Sequence, residues 1–82
     1  MSDLVNEKYL LSRLEALLFI AGSPLTVSQI AEVLDIPQGQ VDKLIDEIES
    51  CYSDGRGLAL QRHGGRFQLT SHPQFADDIE KF

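Results

Sequence analysis

The stretch from Thr26 to Tyr52 limits this chain most, because two short amphipathic patterns meet there at a tight break. Val27, Ile30, Ala31 and Leu34 recur at helical spacing, and so do Val41, Leu44, Ile45, Ile48 and Tyr52. Thr26 with Gln29 three residues on forms a capping box that sets the start of the first of these helices. Asp35-Ile36-Pro37 ends it, since a residue before proline is pushed out of helical geometry. Many turns of this kind carry glycine where Asp35 stands, but aspartate tolerates the left-handed backbone that the turn needs. Small Ala31 lets the second helix cross close over the first, and Ile36 plugs the turn. The pattern predicts a helix-turn-helix.

Around this centre the chain reads in order. Leu4 to Ala21 is predicted as one long helix with Asp3 as its N-cap. Leu10, Leu14, Leu17, Leu18 and Ala21 form its core stripe, whereas Leu4, Leu11, Phe19 and Ile20 fall outside it. Leu4, Leu11 and Leu18 are spaced by seven and drift slowly round the helix, so they are expected to make an exposed seam. Leu4, Leu11 and Phe19 are accordingly the expected contacts of a homodimer. Gly22-Ser23-Pro24 ends the helix and Leu25 returns to the core.

The second helix of the helix-turn-helix is expected to run from Gln38 to Ser53, with a turn at Asp54-Gly55-Arg56-Gly57. Leu58–His63 and Arg66–Ser71 then read as strands joined by Gly64-Gly65, a two-residue loop suited to a type I′ hairpin. That loop pairs His63 with Arg66, Arg62 with Phe67, Leu60 with Leu69 and Leu58 with Ser71. Leucines and phenylalanine share one face, and Ala59, Gln61, His63, Arg66, Gln68 and Thr70 take the other. Pro73 suits the first position of a last helix with Phe75, Ile79 and Phe82 on its apolar side. The expected fold is mainly α with a small β-hairpin: a winged helix-turn-helix domain over residues 1–82. Its core is expected at Leu34, Val41, Leu44, Ile48, Leu60 and Leu69. The lack of a stop signal after the last helix suggests a piece of something longer.

Composition narrows the function. Net charge is −6 and the pI about 4.6, unsuited to a chain that lives on phosphate backbones. A single cysteine permits no internal disulfide, which fits a reducing, cytoplasmic setting. The longest apolar run, Ala16 to Ala21, is too short to span a bilayer, and Met1-Ser2-Asp3 lacks the basic start of a secretion signal. Enzyme chemistry lacks supply, and no cofactor or metal is expected. His63 and His72 belong to no metal-ligating spacing, Cys51 has no histidine partner, and no glycine turn precedes a phosphate-cradling helix.

In DNA-binding winged helices the second helix of the motif enters the major groove. Here that helix carries Asp42, Asp46, Glu47 and Glu49 against Lys43, four negative charges and one positive, a net −3. Residues 55 to 72 hold Arg56, Arg62 and Arg66 with no acid, so this basic patch on the wing is the expected contact for an acidic partner. Little or no direct DNA binding is expected. A winged-helix transcriptional regulator that uses the basic wing is the alternative.

The run Leu14-Glu15-Ala16-Leu17-Leu18-Phe19-Ile20-Ala21-Gly22-Ser23-Pro24-Leu25 is followed by the helix-turn-helix. Gly55-Arg56-Gly57-Leu58-Ala59-Leu60 and Gly64-Gly65-Arg66-Phe67-Gln68-Leu69 come after it. Together they resemble the start of the segregation and condensation protein B family, from about Leu11 to Phe82. The resemblance implies the first of two successive winged-helix domains in a non-enzymatic, nucleoid-associated clamp. It also implies a homodimer that binds the kleisin subunit, segregation and condensation protein A, and through it a structural-maintenance-of-chromosomes ATPase. The implied role is chromosome condensation and partition.

Overall fold

The computed structural model describes the backbone of residues 3–52 and 55–82, and side chains from Glu7 onward within those ranges. Its elements are α1 (Asp3–Ala21), β1 (Leu25–Thr26), α2 (Val27–Leu34), α3 (Gln38–Cys51), β2 (Leu58–His63), β3 (Arg66–Ser71), a 3₁₀ turn (Pro73–Phe75) and α4 (Ala76–Lys81). This is a winged helix: three helices gathered on a small antiparallel sheet whose hairpin is the wing.

The helix-turn-helix is built as its residues predict. The Thr26 hydroxyl accepts from the Gln29 N–H at 3.1 Å, and the Gln29 side chain accepts from the Thr26 N–H at 2.9 Å. Two of the orphan donors at the start of α2 are thereby satisfied. Asp35 sits in the left-handed region at φ 57°, and the Ile36 N–H folds back to the Ala31 carbonyl at 3.1 Å. Pro37 then occupies the N-cap of α3. Helix α3 ends at Cys51 with Tyr52 as its C-cap, and the expected extension to Ser53 lies outside the described residues. Asp3 is already helical, and its side chain and that of Leu4 also lie outside those described.

The hairpin register agrees with expectation at every pair, from Leu58 with Ser71 to His63 with Arg66. Gly64 and Gly65 both have positive φ, as a type I′ turn demands. The sheet has a third member that the sequence reading missed. Leu25 and Thr26 pair with Phe67 and Arg66, giving the order β1-β3-β2. Thr26 thus closes a sheet edge and caps a helix at once.

The core collects Leu14 and Leu18 of α1, Ile30, Ala31 and Leu34 of α2, Val41, Leu44, Ile45 and Ile48 of α3, and Leu60 and Phe67 of the wing. Leu69, expected there, is only partly buried against it. The last helix stands apart from this core. Phe75, Ile79 and Phe82 are its apolar residues, yet Ile79 and Phe82 are exposed and α4 buries no residue.

Candidate functional site

The outward side of α3 is where a DNA-binding winged helix would meet a duplex. Val41, Leu44, Ile45 and Ile48 point inward, so the alternating positions turn Asp42, Lys43, Asp46, Glu47 and Glu49 to solvent. The carboxylates of this face are engaged within the molecule. Arg62 of β2 reaches across with Nη2 2.7 Å from Asp46 Oδ1 and 2.9 Å from Glu49 Oε1, while its Nε donates to Glu49 Oε2 at 3.2 Å. Its guanidinium carbon also lies 5.7 Å from the Phe67 ring centre, across the pair that the hairpin register sets. Hydrogen bonding to Asp46, then to Glu49, pushes the Arg62 pKa up. All three groups are substantially exposed, so solvent screening keeps the energy small.

The expected basic patch is therefore split. Arg62 turns inward to α3, leaving Arg56 before β2 and Arg66 at the hairpin tip as its exposed cations. Sequence charge counting could not separate them. The register could have, because it places Arg62 on the face shared with Leu60 and Phe67. Farther along α3, Glu47 meets Glu7 of α1, and their hydrogen bond holds the Glu47 carboxyl above its usual range.

Helix α1 shows which of the expected interface residues are exposed. Leu18 is 1% exposed and Leu11 packs partly buried against the core, so these two do not form the expected exposed row, and the Leu4 side chain lies outside the described residues. The core stripe is wide enough to take in the seam beside it. Phe19 stands roughly 80° round the helix from Leu11, at about 100° per residue, and is 71% exposed. The apolar surface that α1 does present is Phe19, 71% exposed, with Tyr9 at 66% and Ile20 at 76%. Tyr9 and Ile20, which the seam omitted, lie eleven residues apart and hence on one side of the helix.

A second apolar feature lies between α1 and the wing. Glu15, Ala16, Phe19, Tyr52, Leu58 and Leu69 line an open cleft of about 280 Å³. The Tyr52 hydroxyl donates to a Glu15 carboxylate oxygen at its edge, which raises the Tyr52 pKa. Beyond Tyr52 a polar trough opens over Leu60, with Asp46 and Glu49 on its wall.

The remaining candidates are structural. His72 uses Nδ1 to accept the Gln74 N–H at 3.1 Å and so caps the 3₁₀ turn. Cys51 is exposed at the end of α3. Among the described residues no three His, Cys, Asp or Glu side chains gather to hold a metal, and no helix is long and apolar enough to cross a membrane.

The solvent-accessible surface is 5759 Å² for 9.1 kDa. A folded monomer of that mass is expected to expose about 4,900 Å².

Comparison with known proteins agrees with this picture. A crystal structure described as the dimer of the ScpB N-terminal domain complexed with an ScpA peptide superposes with a TM-score of 0.81 at 36% identity, over 90% of this chain and 94% of that one. ScpB from Mycobacterium tuberculosis shares the fold, with a TM-score of 0.85 at 22% identity over 92% of this chain and 48% of that one. Segregation and condensation protein B of Moorella thermoacetica is 38% identical over 68 residues, 82% of this chain and 35% of that protein. The protein of the same name from Symbiobacterium thermophilum is 35% identical over 69 residues, 83% of this chain and 32% of its own length. The chain thus spans about a third of the length of these relatives. The family model for the segregation and condensation complex subunit ScpB matches residues 12–82, and the chain belongs to that family.

Proposed function

We propose that this domain is the dimerising, kleisin-binding first domain of a non-enzymatic subunit in a condensin-like complex. In this reading two copies pair and hold segregation and condensation protein A, which links them to a structural-maintenance-of-chromosomes ATPase and so to chromosome condensation and segregation. A second winged-helix domain follows the first in the full-length subunit. The observation that carries the reading is the 36% identical neighbour, described as a dimer in complex with an ScpA peptide. The exposed apolar side of α1, Tyr9, Phe19 and Ile20, supports it as a convex patch that can pair about a two-fold axis. Leu11 lies on the opposite side of α1 from Tyr9 and Ile20, at about 100° per residue, and packs against the core. Arg56 and Arg66 are the wing cations left to meet an acidic partner.

Light scattering on this chain, alone and mixed with its cognate segregation and condensation protein A, tests the reading. A dimer that takes up the added protein is expected. A monomer at high micromolar concentration that also ignores the kleisin would overturn it. The regulator alternative loses support from the acidic surface of α3 and from the engagement of Arg62 with Asp46 and Glu49.

A further inference from the structure

We propose that in the dimer each copy's α4 lies in the cleft between α1 and the wing of the other copy, so that the two exchange their last helices; this rests on the dimer reading given above. Each half of the contact is a surface that the domain leaves uncovered. Phe75, Ile79 and Phe82 follow one another by four and three residues and so share one side of the last helix. Ile79 is 55% exposed, Phe82 is fully exposed, and α4 buries no residue in its own domain.

The receiving surface is concave and apolar. Ala16 and Phe19 of α1 face Leu58 and Leu69 of the wing across about 280 Å³. That lies below the roughly 300–1,000 Å³ of small-molecule sites and suits a short row of side chains. Ala16 is the small residue that keeps the helix side open, and Leu58 is a leucine that the wing leaves exposed at the cleft wall.

Three features make a second copy's α4 the occupant. The first is how α4 leaves its own domain. The His72 Nδ1 accepts the Gln74 N–H at 3.1 Å, the His72 carbonyl accepts the Phe75 N–H at 2.9 Å, and the two rings meet edge to face at 6.1 Å. These contacts fix a turn just past Ser71, which pairs with Leu58 of the cleft wall. A helix rooted beside one cleft yet not filling it is placed to enter the same cleft of a copy related by a two-fold axis. Charge is the second feature. The Tyr52 pKa, raised chiefly by the bond to Glu15, is pulled down in part by the Arg56 cation, so Arg56 lies close to this cleft. Asp78 is three residues from Phe75 and four from Phe82, hence beside the apolar row, and is exposed. Both ion pairs among the described residues belong to Arg62, so an incoming α4 brings a carboxylate to an arginine not yet paired among them. Continuity is the third. Phe19 belongs both to the cleft and to the exposed apolar side of α1, so a seated α4 extends the contact made there.

Dilution series followed by light scattering test the exchange. Ile79→Lys with Phe82→Lys alters positions exposed in their own copy, so the circular dichroism spectrum should stay the same while the dimer Kd rises about tenfold or more. Arg56→Glu and Asp78→Arg should each weaken the dimer, and the two combined in one chain should restore it. A dimer as strong in Ile79→Lys with Phe82→Lys as in the parent would remove α4 from the interface and leave the dimer reading to the α1 patch. Variants that pair normally but lose segregation and condensation protein A would give α4 to that protein and equally overturn the exchange. A parent chain that stays monomeric at high micromolar concentration also overturns it, and the reading beneath it fails as well if that protein is not bound.

Discussion

Leu44 is 1% exposed at the point where α3 meets the other helices, so its environment leaves no route for solvent to fill a void. Leu44→Ala should cost about 2–5 kcal/mol, a large share of the roughly 5–15 kcal/mol that holds a domain together. A thermal melt followed by circular dichroism checks this, and an unchanged midpoint would contradict the placement of α3. Tyr52 makes a pH prediction. Because its hydroxyl donates to Glu15, its pKa is raised above the ordinary 10.0 in the folded state. The protonated form is thus favoured by folding: the contribution is complete below about 10 and is lost as pH rises through the folded value. The parent's melting temperature should therefore fall more steeply in the alkaline range than that of Tyr52→Phe. Parallel alkaline profiles would mean that the bond to Glu15 contributes nothing.

Among the elements, the wing depends most on local chemistry. Gly64 and Gly65 hold φ of 55° and 76°, and a Cβ added at either meets nothing within 4 Å. Substitution there carries a backbone cost without a steric one. Gly65→Ala should destabilise by about 1–2 kcal/mol, and Gly65→Asn by less, since asparagine visits the left-handed region more readily. Urea melts of the two variants read the difference directly, and equal midpoints would show that the turn tolerates alanine. The hairpin, the capping box and the left-handed Asp35 were all legible, because each depends on residues within a few positions of one another. Strand β1 was not. Two residues are too few to show an alternating pattern, and their pairing with Phe67 and Arg66 is a contact forty residues away in the chain.

At the scale of the molecule, charge and surface set the outlook. The outward carboxylates of α3, with Arg62 drawn onto Asp46 and Glu49, leave no cationic row for a phosphate backbone. Titration of a labelled DNA duplex should show no sub-micromolar binding at physiological salt, and any weak binding at low salt should vanish as salt rises. Tight binding lost on Arg56→Ala with Arg66→Ala would favour the regulator instead.

Local sequence is enough to specify the helix-turn-helix, the hairpin with its register and the sign of charge on α3. Each of these follows from periodicity, from turn residues or from a sum of charges. Tertiary structure alone decided which side of α1 is buried. A helix apolar over much of its circumference has no internal rule for choosing, and only the position of α2, α3 and the wing put Leu18 and Leu11 against the core while leaving Tyr9, Phe19 and Ile20 outside. It also decided the fate of Arg62. The register could set it on the face of Phe67, but its pairing with Asp46 and Glu49 depends on how closely the wing folds onto α3, a distance that no local pattern encodes.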